Sequence, residues 1–262
     1  MFYAREFAGG EVVRFHMART VLGQPIYVGT CFWIPGAGVM VDSGPSHRGA
    51  QLRAALKDAR LEAVLCTHGH EDHVGNNALL GARCVAARGM RVPARLPLYR
   101  RIAWGLPKSG AIEAVGDGFE VGEWEFRAVP TPGHAPDHLA YWEPSRGWLF
   151  SGDAALGLLR YGFRDEDIHA YMASLRRMRD LRPEVVFPAH GPVLTDPATQ
   201  LSAQLTHLER LEREARRLAA EGAAPGAIAR RLLGFNGPLG LSSGGEFSKR
   251  RLIEGLLRGG PG

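Results

Sequence analysis

Five of the seven residues from Thr67 to His73 carry side chains that could bind a metal ion or move a proton. The run reads Thr-His-Gly-His-Glu-Asp-His and supplies three imidazoles and two carboxylates. Neutral imidazole and ionised carboxylate are natural ligands of divalent cations, and a cation offsets the cost of crowding them. In an extended loop His68 and His70 point to one side, whereas Asp72 and His73, at the start of a following helix, face a second position. The spacing therefore indicates two adjacent metal ions.

Three further potential ligands each follow a strand-like segment. His134 lies in Thr-Pro-Gly-His, Asp153 in Ser-Gly-Asp and His190 in Pro-Ala-His-Gly. The neighbouring Gly and Pro residues let the backbone turn sharply at these points. Because strand ends along one edge of a sandwich converge, we expect these three side chains to meet the first motif there.

The elements that must position these residues alternate between strands and helices in two blocks. Apolar runs rich in β-branched and aromatic residues predict strands at Glu11–His16, Pro25–Ile34, Gly38–Asp42, Ala63–Cys66, Cys84–Ala87, Ala114–Val115, Phe119–Val129, His138–Glu143, Trp148–Phe150 and Glu184–Phe187. Helical spacing is found at His47–Asp58, His73–Leu80, Asp167–Arg179, Gln204–Glu221, Pro225–Leu233 and Glu246–Leu257. This order predicts an α/β fold in which two sheets pack face to face with helices outside.

The chain changes character near Leu201, where three predicted helices follow one another without strands. We therefore expect a catalytic domain over residues 1–200 and a small helical module over residues 201–262. Arginines alternate with glutamates along the first of these helices, which favours a solvated, ion-paired face over a nucleic-acid surface.

The composition is that of a soluble globular enzyme, with 45% apolar and 23% charged residues. No basic segment followed by an apolar one opens the sequence, and no apolar run reaches the roughly 18–20 residues of a membrane span. The three cysteines all lie in apolar runs and are interpreted as buried, reduced thiols. We expect a cytoplasmic protein with no membrane partner, and its oligomeric state, a homodimer included, stays open.

Positive charge is concentrated after the metal motif. Residues 73–112 contain no Asp or Glu, and their basic residues are Arg83, Arg88, Arg91, Arg95, Arg100, Arg101 and Lys108. Three prolines predict that residues 88–108 form a loop with broken helical turns lying over the site. Such a basic cover indicates an anionic substrate. The alternative is a solvated, Arg-biased surface, because Arg outnumbers Lys 29 to 3 in the whole chain.

Together these motifs resemble those of the metallo-β-lactamase superfamily. The matching series is Val-Asp-Ser-Gly with Asp42, the Thr67–His73 run, Thr-Pro-Gly-His, Ser-Gly-Asp and Pro-Ala-His-Gly. With the flanking strands the resemblance covers roughly residues 10–200. It implies a four-layer αβ/βα sandwich with two divalent metal ions at one edge, usually zinc, with iron or manganese as alternatives.

The resemblance also implies a role for each ligand. One metal ion would be bound by His68, His70 and His134, the other by Asp72, His73 and His190, and Asp153 would bridge both. Asp42 matches a position that orients ligands rather than binding the metal. A metal-bridging hydroxide would attack the substrate, and Asp72 would orient that hydroxide. His138 is interpreted as a strand-start histidine, with support of the ligands as the alternative.

Departures from the family pattern bear on the substrate. Gly69 occupies a position where glyoxalase II enzymes usually carry a further His, which weakens a lactoylglutathione assignment. The leading substrate is a small anionic ester, thioester or lactone. The helical tail resembles that of the β-lactamase-like protein 2 subgroup, some of whose members cleave single-stranded RNA, so an endoribonuclease is one alternative. An iron-dependent oxidoreductase or dioxygenase on the same fold is another.

Overall fold

The computed structural model describes residues 1–21, 24–237, 240, 243 and 245–259. Two β-sheets pack face to face, and helices cover the outer face of each sheet. This arrangement confirms the predicted α/β class and the four-layer order of helix, sheet, sheet and helix.

The first sheet has seven strands that lie side by side in chain order: β1 Phe2–Phe7, β2 Val12–Val21, β3 Gln24–Ile34, β4 Val39–Val41, β5 Ala63–Leu65, β6 Arg83–Ala86 and β7 Glu113–Ala114. Strands β1 to β4 form an antiparallel meander, whereas β4 to β7 run parallel. Parallel strands need crossover connections, and these contain α1 Gly49–Ala55, α2 Asn77–Leu80 and α3 Leu98–Trp104. The strand β1 was not predicted from the sequence.

The second sheet has five strands in the order β12-β11-β10-β9-β8: β8 Gly118–Val121, β9 Trp124–Pro130, β10 Leu139–Glu143, β11 Trp148–Gly152 and β12 Val185–Pro188. Only β11 and β12 pair in parallel, and the crossover between them is α4 Ile168–Asp180. Asp167 begins this helix, because its side chain accepts a hydrogen bond from the Ala170 N–H at 3.0 Å.

Side chains that alternate along each strand divide the apolar residues among three cores. Val39 and Val41 of β4 face the core between the sheets, while Met40 faces the core under α1 and α2. Tyr141 of β10 likewise faces the inter-sheet core, and Trp142 faces the helices beyond the second sheet. The inter-sheet core therefore fixes the register in which the strand ends meet.

Three helices follow the second sheet in the described part of the chain, α5 Pro197–Ala220, α6 Pro225–Leu233 and α7 Lys249–Leu257. The first begins seven residues before the predicted start, because Asp196 caps it and Pro197 fits its first turn. All three helices share one apolar core with α4 and the second sheet. The two-domain division at residue 200 stays a prediction, and that position lies inside α5. No described helix is both long and apolar enough to cross a membrane.

Two further predicted elements also differ in extent from the structure. The helix expected over His73–Leu80 is only Asn77–Leu80, because the residues before it bond to a neighbouring loop instead. The Ser43 N–H donates to the His73 carbonyl at 2.7 Å, and the Asn76 N–H donates to Ser43 Oγ at 3.0 Å. The strand expected over Phe119–Val129 is the β8–β9 hairpin, which turns at Gly122 with φ +59°.

Candidate metal centre

The seven predicted ligands lie together at one edge of the sandwich. Each follows the carboxyl end of a strand: the Thr67–His73 motif follows β5, His134 follows β9, Asp153 follows β11 and His190 follows β12. The motif runs through tight turns, in which the His73 and Val74 N–H groups both donate to the His70 carbonyl. Asp72 and His73 therefore face the site from a turn and not from a helix.

His68, His70 and His134 form the first group of donors. His68 Nε2 lies 2.9 Å from His70 Nδ1, which lies 3.1 Å from His134 Nε2. One ligand atom from each residue lies within 4.8 Å of the others. Three converging imidazoles of this kind could hold one divalent cation.

Asp72, His73 and His190 form a second group beside the first. His190 Nε2 lies 3.4 Å from Asp72 Oδ2, and His73 Nε2 lies 3.9 Å from the same oxygen. Their donor atoms also fall within 4.8 Å of one another. His190 is the most exposed member of this group, with 31% of its side chain accessible.

Asp153 lies between the two groups and turns one oxygen towards each. Its Oδ2 is 3.3 Å from His134 Nε2, and its Oδ1 is 3.4 Å from His73 Nε2 and 3.6 Å from His190 Nε2. His73 Nε2 and Asp153 Oδ1 are buried and make no hydrogen bond with any described residue. Buried donors with unused lone pairs suit divalent cations, so the residues present fit a two-metal site.

The pKa shifts of the histidines also fit a site for divalent cations. Burial lowers the pKa of His68 and His70 well below the usual value, so both imidazoles are neutral. Burial also opposes charge on His73 and His190, but the carboxylates around them, Asp153 first, outweigh it and raise their pKa. The carboxylates therefore favour positive charge at these two rings. A bound cation would supply that positive charge in place of protons.

Asp42 orients His73 and belongs to neither of the two donor groups. Its Oδ2 lies 2.7 Å from His73 Nδ1, and its Oδ1 accepts a hydrogen bond from the Thr67 N–H at 2.8 Å. The residue has a φ of +59°, which is uncommon outside glycine. These bonds hold it in that conformation and leave His73 Nε2 facing the second donor group.

Glu166 orients His134 in the same manner, and sequence reasoning missed it. Its Oε1 lies 2.7 Å from His134 Nδ1, and its Oε2 accepts a hydrogen bond from the Phe163 N–H at 2.8 Å. The carboxylate is buried, and it leaves His134 Nε2 directed at the first group. It lies 32 residues from its partner and belongs to no motif, so no sequence signal marked it.

His138 supports the site through the backbone of Asp153. Its Nε2 accepts a hydrogen bond from the Asp153 N–H at 3.0 Å, and its Nδ1 lies 2.8 Å from Thr131 Oγ1. Burial lowers the pKa of this imidazole to about 3, so it is neutral and its Nε2 can accept. His138 thus lies just before β10, as the strand-start interpretation has it, and it also supports Asp153, as the alternative has it.

Arg14 of β2 holds the loop that carries His190, a contact that no sequence pattern indicated. Its guanidinium donates to the carbonyls of Ala189 and Gly191, at 3.0 and 2.7 Å, which flank His190. Thr30 of β3 also donates to the Ala189 carbonyl. The first sheet thus fixes a ligand that is attached to the second sheet.

The predicted cover, residues 88–108, does lie over the site, but its central arginine is neutralised. Arg100 of α3 donates to both oxygens of Glu71, at 2.6 and 2.8 Å, and both side chains are buried. Gly69 allows the close approach of this segment, since a Cβ there would lie 2.0 Å from the Arg91 carbonyl oxygen. A histidine at position 69 would therefore displace the cover.

A cavity of about 730 Å³ opens at the donor groups. His70, Asp72, His134, Asp153 and His190 form its polar end. Its walls are largely apolar and include Leu156, Leu158, Leu159, Tyr161, Phe163 and Phe247, with Arg14, Arg100 and Arg160 among them. A larger groove of about 1020 Å³ lies between α4, α5 and α7 and includes none of the seven potential ligands.

The fold and these donors together define an αβ/βα sandwich protein with His/Asp clusters that could bind metal ions. Residues 26–190, well over half of the chain, match the sequence profile of the metallo-beta-lactamase superfamily. The chain therefore belongs to the metallo-beta-lactamase superfamily, which confirms the resemblance found in its motifs.

Curated relatives align with about seven tenths of this chain. A beta-lactamase-like protein 2 homolog from Caenorhabditis elegans is 30% identical over 199 residues, covering 71% of this chain and 64% of the relative. An atrochrysone carboxyl ACP thioesterase from Aspergillus fumigatus is 31% identical over 201 residues, covering 73% and 60%. The chain thus spans less than two thirds of the length of either relative.

Solved structures of similar fold cover more of the chain. A metallo-beta-lactamase from Pontibacter korlensis has a TM-score of 0.63 at 19% identity and covers 80% of this chain and 99% of its own. A metallo-beta-lactamase family protein from Thermus thermophilus has a TM-score of 0.62 at 21% identity, covering 94% and 91%. At such identities the likeness shows the fold alone.

Proposed function

We propose that this chain is a dinuclear metal-dependent hydrolase that cleaves acyl thioesters. The metal ions would be zinc in the first instance, one held by His68, His70 and His134, the other by Asp72, His73 and His190, with Asp153 shared. The single observation that carries the proposal is the position of the Asp153 carboxylate. Each of its two oxygens faces one of the two donor groups, at 3.3–3.6 Å.

When bound, two such cations supply a Lewis acid for the scissile carbonyl and acidify a water molecule near neutral pH. The protein's own part is to place the reactants. The Asp72 carboxylate lines the cavity and would accept a hydrogen bond from the attacking water, which orients it. The side chain of His190 is 31% accessible, so it would face the departing group.

The cavity favours an acyl group over a polyanion. Its walls are lined by leucines and aromatic rings, and two of its arginines are committed elsewhere: Arg14 to backbone carbonyls and Arg100 to Glu71. An apolar acyl chain can fill such a space, with its carbonyl at the polar end. The anionic part of the substrate would then lie outside, near Arg160, which is exposed at the cavity.

Relatives whose names state an activity support this choice of substrate class. Three of the curated relatives are atrochrysone carboxyl ACP thioesterases, at 30–31% identity. A thioester with an apolar acyl group also fits the cavity better than an RNA strand, which needs free cations along its path, because Arg14 and Arg100 at the cavity are already bonded within the protein.

The proposal is tested by loading the purified protein with zinc, manganese or iron and measuring metal content and turnover together. The substrates are acyl thioesters of increasing chain length, the matched oxygen esters and lactones, and single-stranded RNA. We expect close to two metal ions per chain and a kcat/KM for thioesters that rises with acyl length. RNA cleavage without thioester cleavage, or oxygen consumption with iron, would overturn the assignment in favour of a nuclease or an oxygenase.

A matched pair of variants ties the activity to the cavity. Phe247 lines the cavity and packs on Phe163 with ring centroids 4.9 Å apart. Phe247→Ala therefore enlarges the cavity and should shift the preferred acyl length. Phe235→Ala removes the same side chain from a position that is 80% exposed and outside the cavity. Equal chain-length profiles for the two variants would show that the acyl group binds elsewhere.

A further inference from the structure

The helix α3 lines the cavity with one face and presents aliphatic side chains to solvent with the other. Arg100 and Ala103 on its inner face are buried, and Arg100 lies over the ring of Phe163 at 5.3 Å. On the outer side Leu98 and Ile102 are 68 and 57% exposed, and Leu106, just beyond the end of the helix, is 55% exposed. Leu98 and Ile102 are four residues apart and so lie along one side of the helix. Leu98 and Ile102 therefore form one exposed aliphatic patch, and Leu106 follows it in the chain.

The segment that carries this patch also carries exposed cations that have no carboxylate partner among the described residues. Arg88, Arg91, Arg95, Arg101 and Lys108 are all exposed. Within the described part of the chain, none of these five side chains forms an ion pair, and residues 73–112 contain no acid at all. An apolar patch in a segment whose exposed cations form no ion pair matches an acidic partner that has an apolar patch of its own.

We propose that this surface docks a small acidic carrier protein that presents the acyl group as a thioester on a flexible arm. The α3 surface is defined by Leu98, Ile102 and Leu106 with Arg95, Arg101 and Lys108. The proposal rests on the proposed thioester hydrolysis and names the partner that delivers the substrate. An arm from a protein seated there has a short path into the cavity, because the inner face of the same helix forms part of its wall.

The same observations weigh against other anionic partners. Single-stranded RNA binds through stacking on exposed aromatic rings, and the residues of the α3 surface are aliphatic and basic. A bilayer surface is bound by amphipathic helices with an extended apolar face, whereas α3 has seven residues. A protein partner needs only a small apolar centre and complementary charge, and both are present.

The test compares a carrier-bound substrate with the same acyl group free of the carrier. The probes are an isolated acidic acyl carrier protein charged with octanoate and octanoyl-pantetheine. The test variant, Arg95→Glu with Arg101→Glu, reverses two charges of the α3 surface. The control, Arg210→Glu with Arg213→Glu, makes the same change at two exposed residues of α5 that form no ion pair with any described residue.

We expect the test variant to lose at least about tenfold in kcat/KM for the carrier-bound substrate at low salt. Its turnover of octanoyl-pantetheine and its metal content should stay at the wild-type level, and added salt should shrink the loss. The double variant Leu98→Ser with Ile102→Ser should show a loss that salt does not shrink, because it removes the apolar centre and leaves the charges.

Three results would overturn the docking proposal. One is a carrier-specific loss in the α5 control as large as in the test variant. Another is unchanged turnover of the carrier-bound substrate by the test variant. The third is a loss confined to binding of single-stranded RNA or of vesicles containing anionic phosphatidylserine. Failure of the wild-type protein to cleave octanoyl-pantetheine would instead contradict the proposed hydrolase function, so the two failures are distinguishable.

Discussion

Substituting Glu166 by Gln should weaken metal binding without removing a ligand. The Glu166 carboxylate faces two donors at once, His134 Nδ1 at 2.7 Å and the Phe163 N–H at 2.8 Å. A Gln side chain has one carbonyl oxygen, so it can accept from only one of them, and its NH₂ group then faces the other N–H. His134 would lose either its partner or its fixed orientation, while its own Nε2 stays available to a metal ion.

The size of the effect follows from these two contacts. A hydrogen bond to a charged group contributes about 1.5–3 kcal/mol. Loss of a partner that orients a metal-binding histidine typically lowers metal affinity by about 10- to 100-fold, or about 1.4–2.7 kcal/mol. We expect the loss to fall on the site that contains His134, because His190 and His73 are held by other residues.

The measurement is a zinc titration of metal-free protein in competition with a fluorescent chelator, which resolves a stronger and a weaker site. Glu143→Gln is the matched control, since Glu143 is also buried and its Oε2 accepts a hydrogen bond from the Arg146 N–H at 2.7 Å. It pairs with Trp148 at the start of β11, whereas Asp153 follows the other end of that strand. Circular dichroism and denaturant unfolding verify that both variants fold.

Two results would refute the reasoning about Glu166. If both zinc affinities of a folded Glu166→Gln protein stayed within about twofold of wild type, far below the expected loss, its contact with His134 would have no orienting role. If Glu143→Gln weakened zinc binding as much, the effect would come from general loss of a buried carboxylate and not from the histidine.

Three other changes test the rest of the site. Asp153→Asn should lower the bound metal from near two towards one per chain and reduce turnover by at least about a hundredfold, measured by elemental analysis and initial rates. Arg14→Met should leave the Gly191 carbonyl without its donor and the Ala189 carbonyl with Thr30 as its remaining one, at about 1–3 kcal/mol; guanidinium unfolding should detect this, and unchanged stability would contradict the clamp. Arg100→Met should cost about 3–5 kcal/mol because Glu71 stays buried without its partner. Adding Glu71→Gln should recover much of that loss, and a double-mutant cycle measures how much.

The sequence identifies the seven donor residues because each lies in a short motif next to a strand end. Residues in such motifs can be expected to lie close together in the folded protein, because strand ends at one edge of a sandwich converge. What holds the donors is not local: Arg14 lies 177 positions from Gly191, and Glu166 lies 32 from His134. Such contacts depend on the register between the two sheets, which no single segment encodes.

Competition from tertiary hydrogen bonds explains the helix that the sequence mispredicted. Residues 73–76 have helical spacing, yet the His73 carbonyl and the Asn76 N–H bond to Ser43. Charge counting is misleading in a similar way, because Arg100 contributes to the basic appearance of the cover while Glu71 neutralises it. A pattern of charges predicts a partner only after the internal ion pairs are known.

The helical tail shapes the cavity at the donor groups even though none of the seven predicted ligands lies in it. The cavity wall over residues 156–163 is fastened to it at three points: Gln204 accepts from the Gly157 N–H, His207 donates to the Leu159 carbonyl, and Gly162 pairs with Ser248. Phe163, at the end of this wall, donates its N–H to Glu166, which orients His134. A shift of the tail is therefore transmitted to both the acyl pocket and the first donor group. Substitutions among these anchoring residues should change substrate preference and metal affinity together.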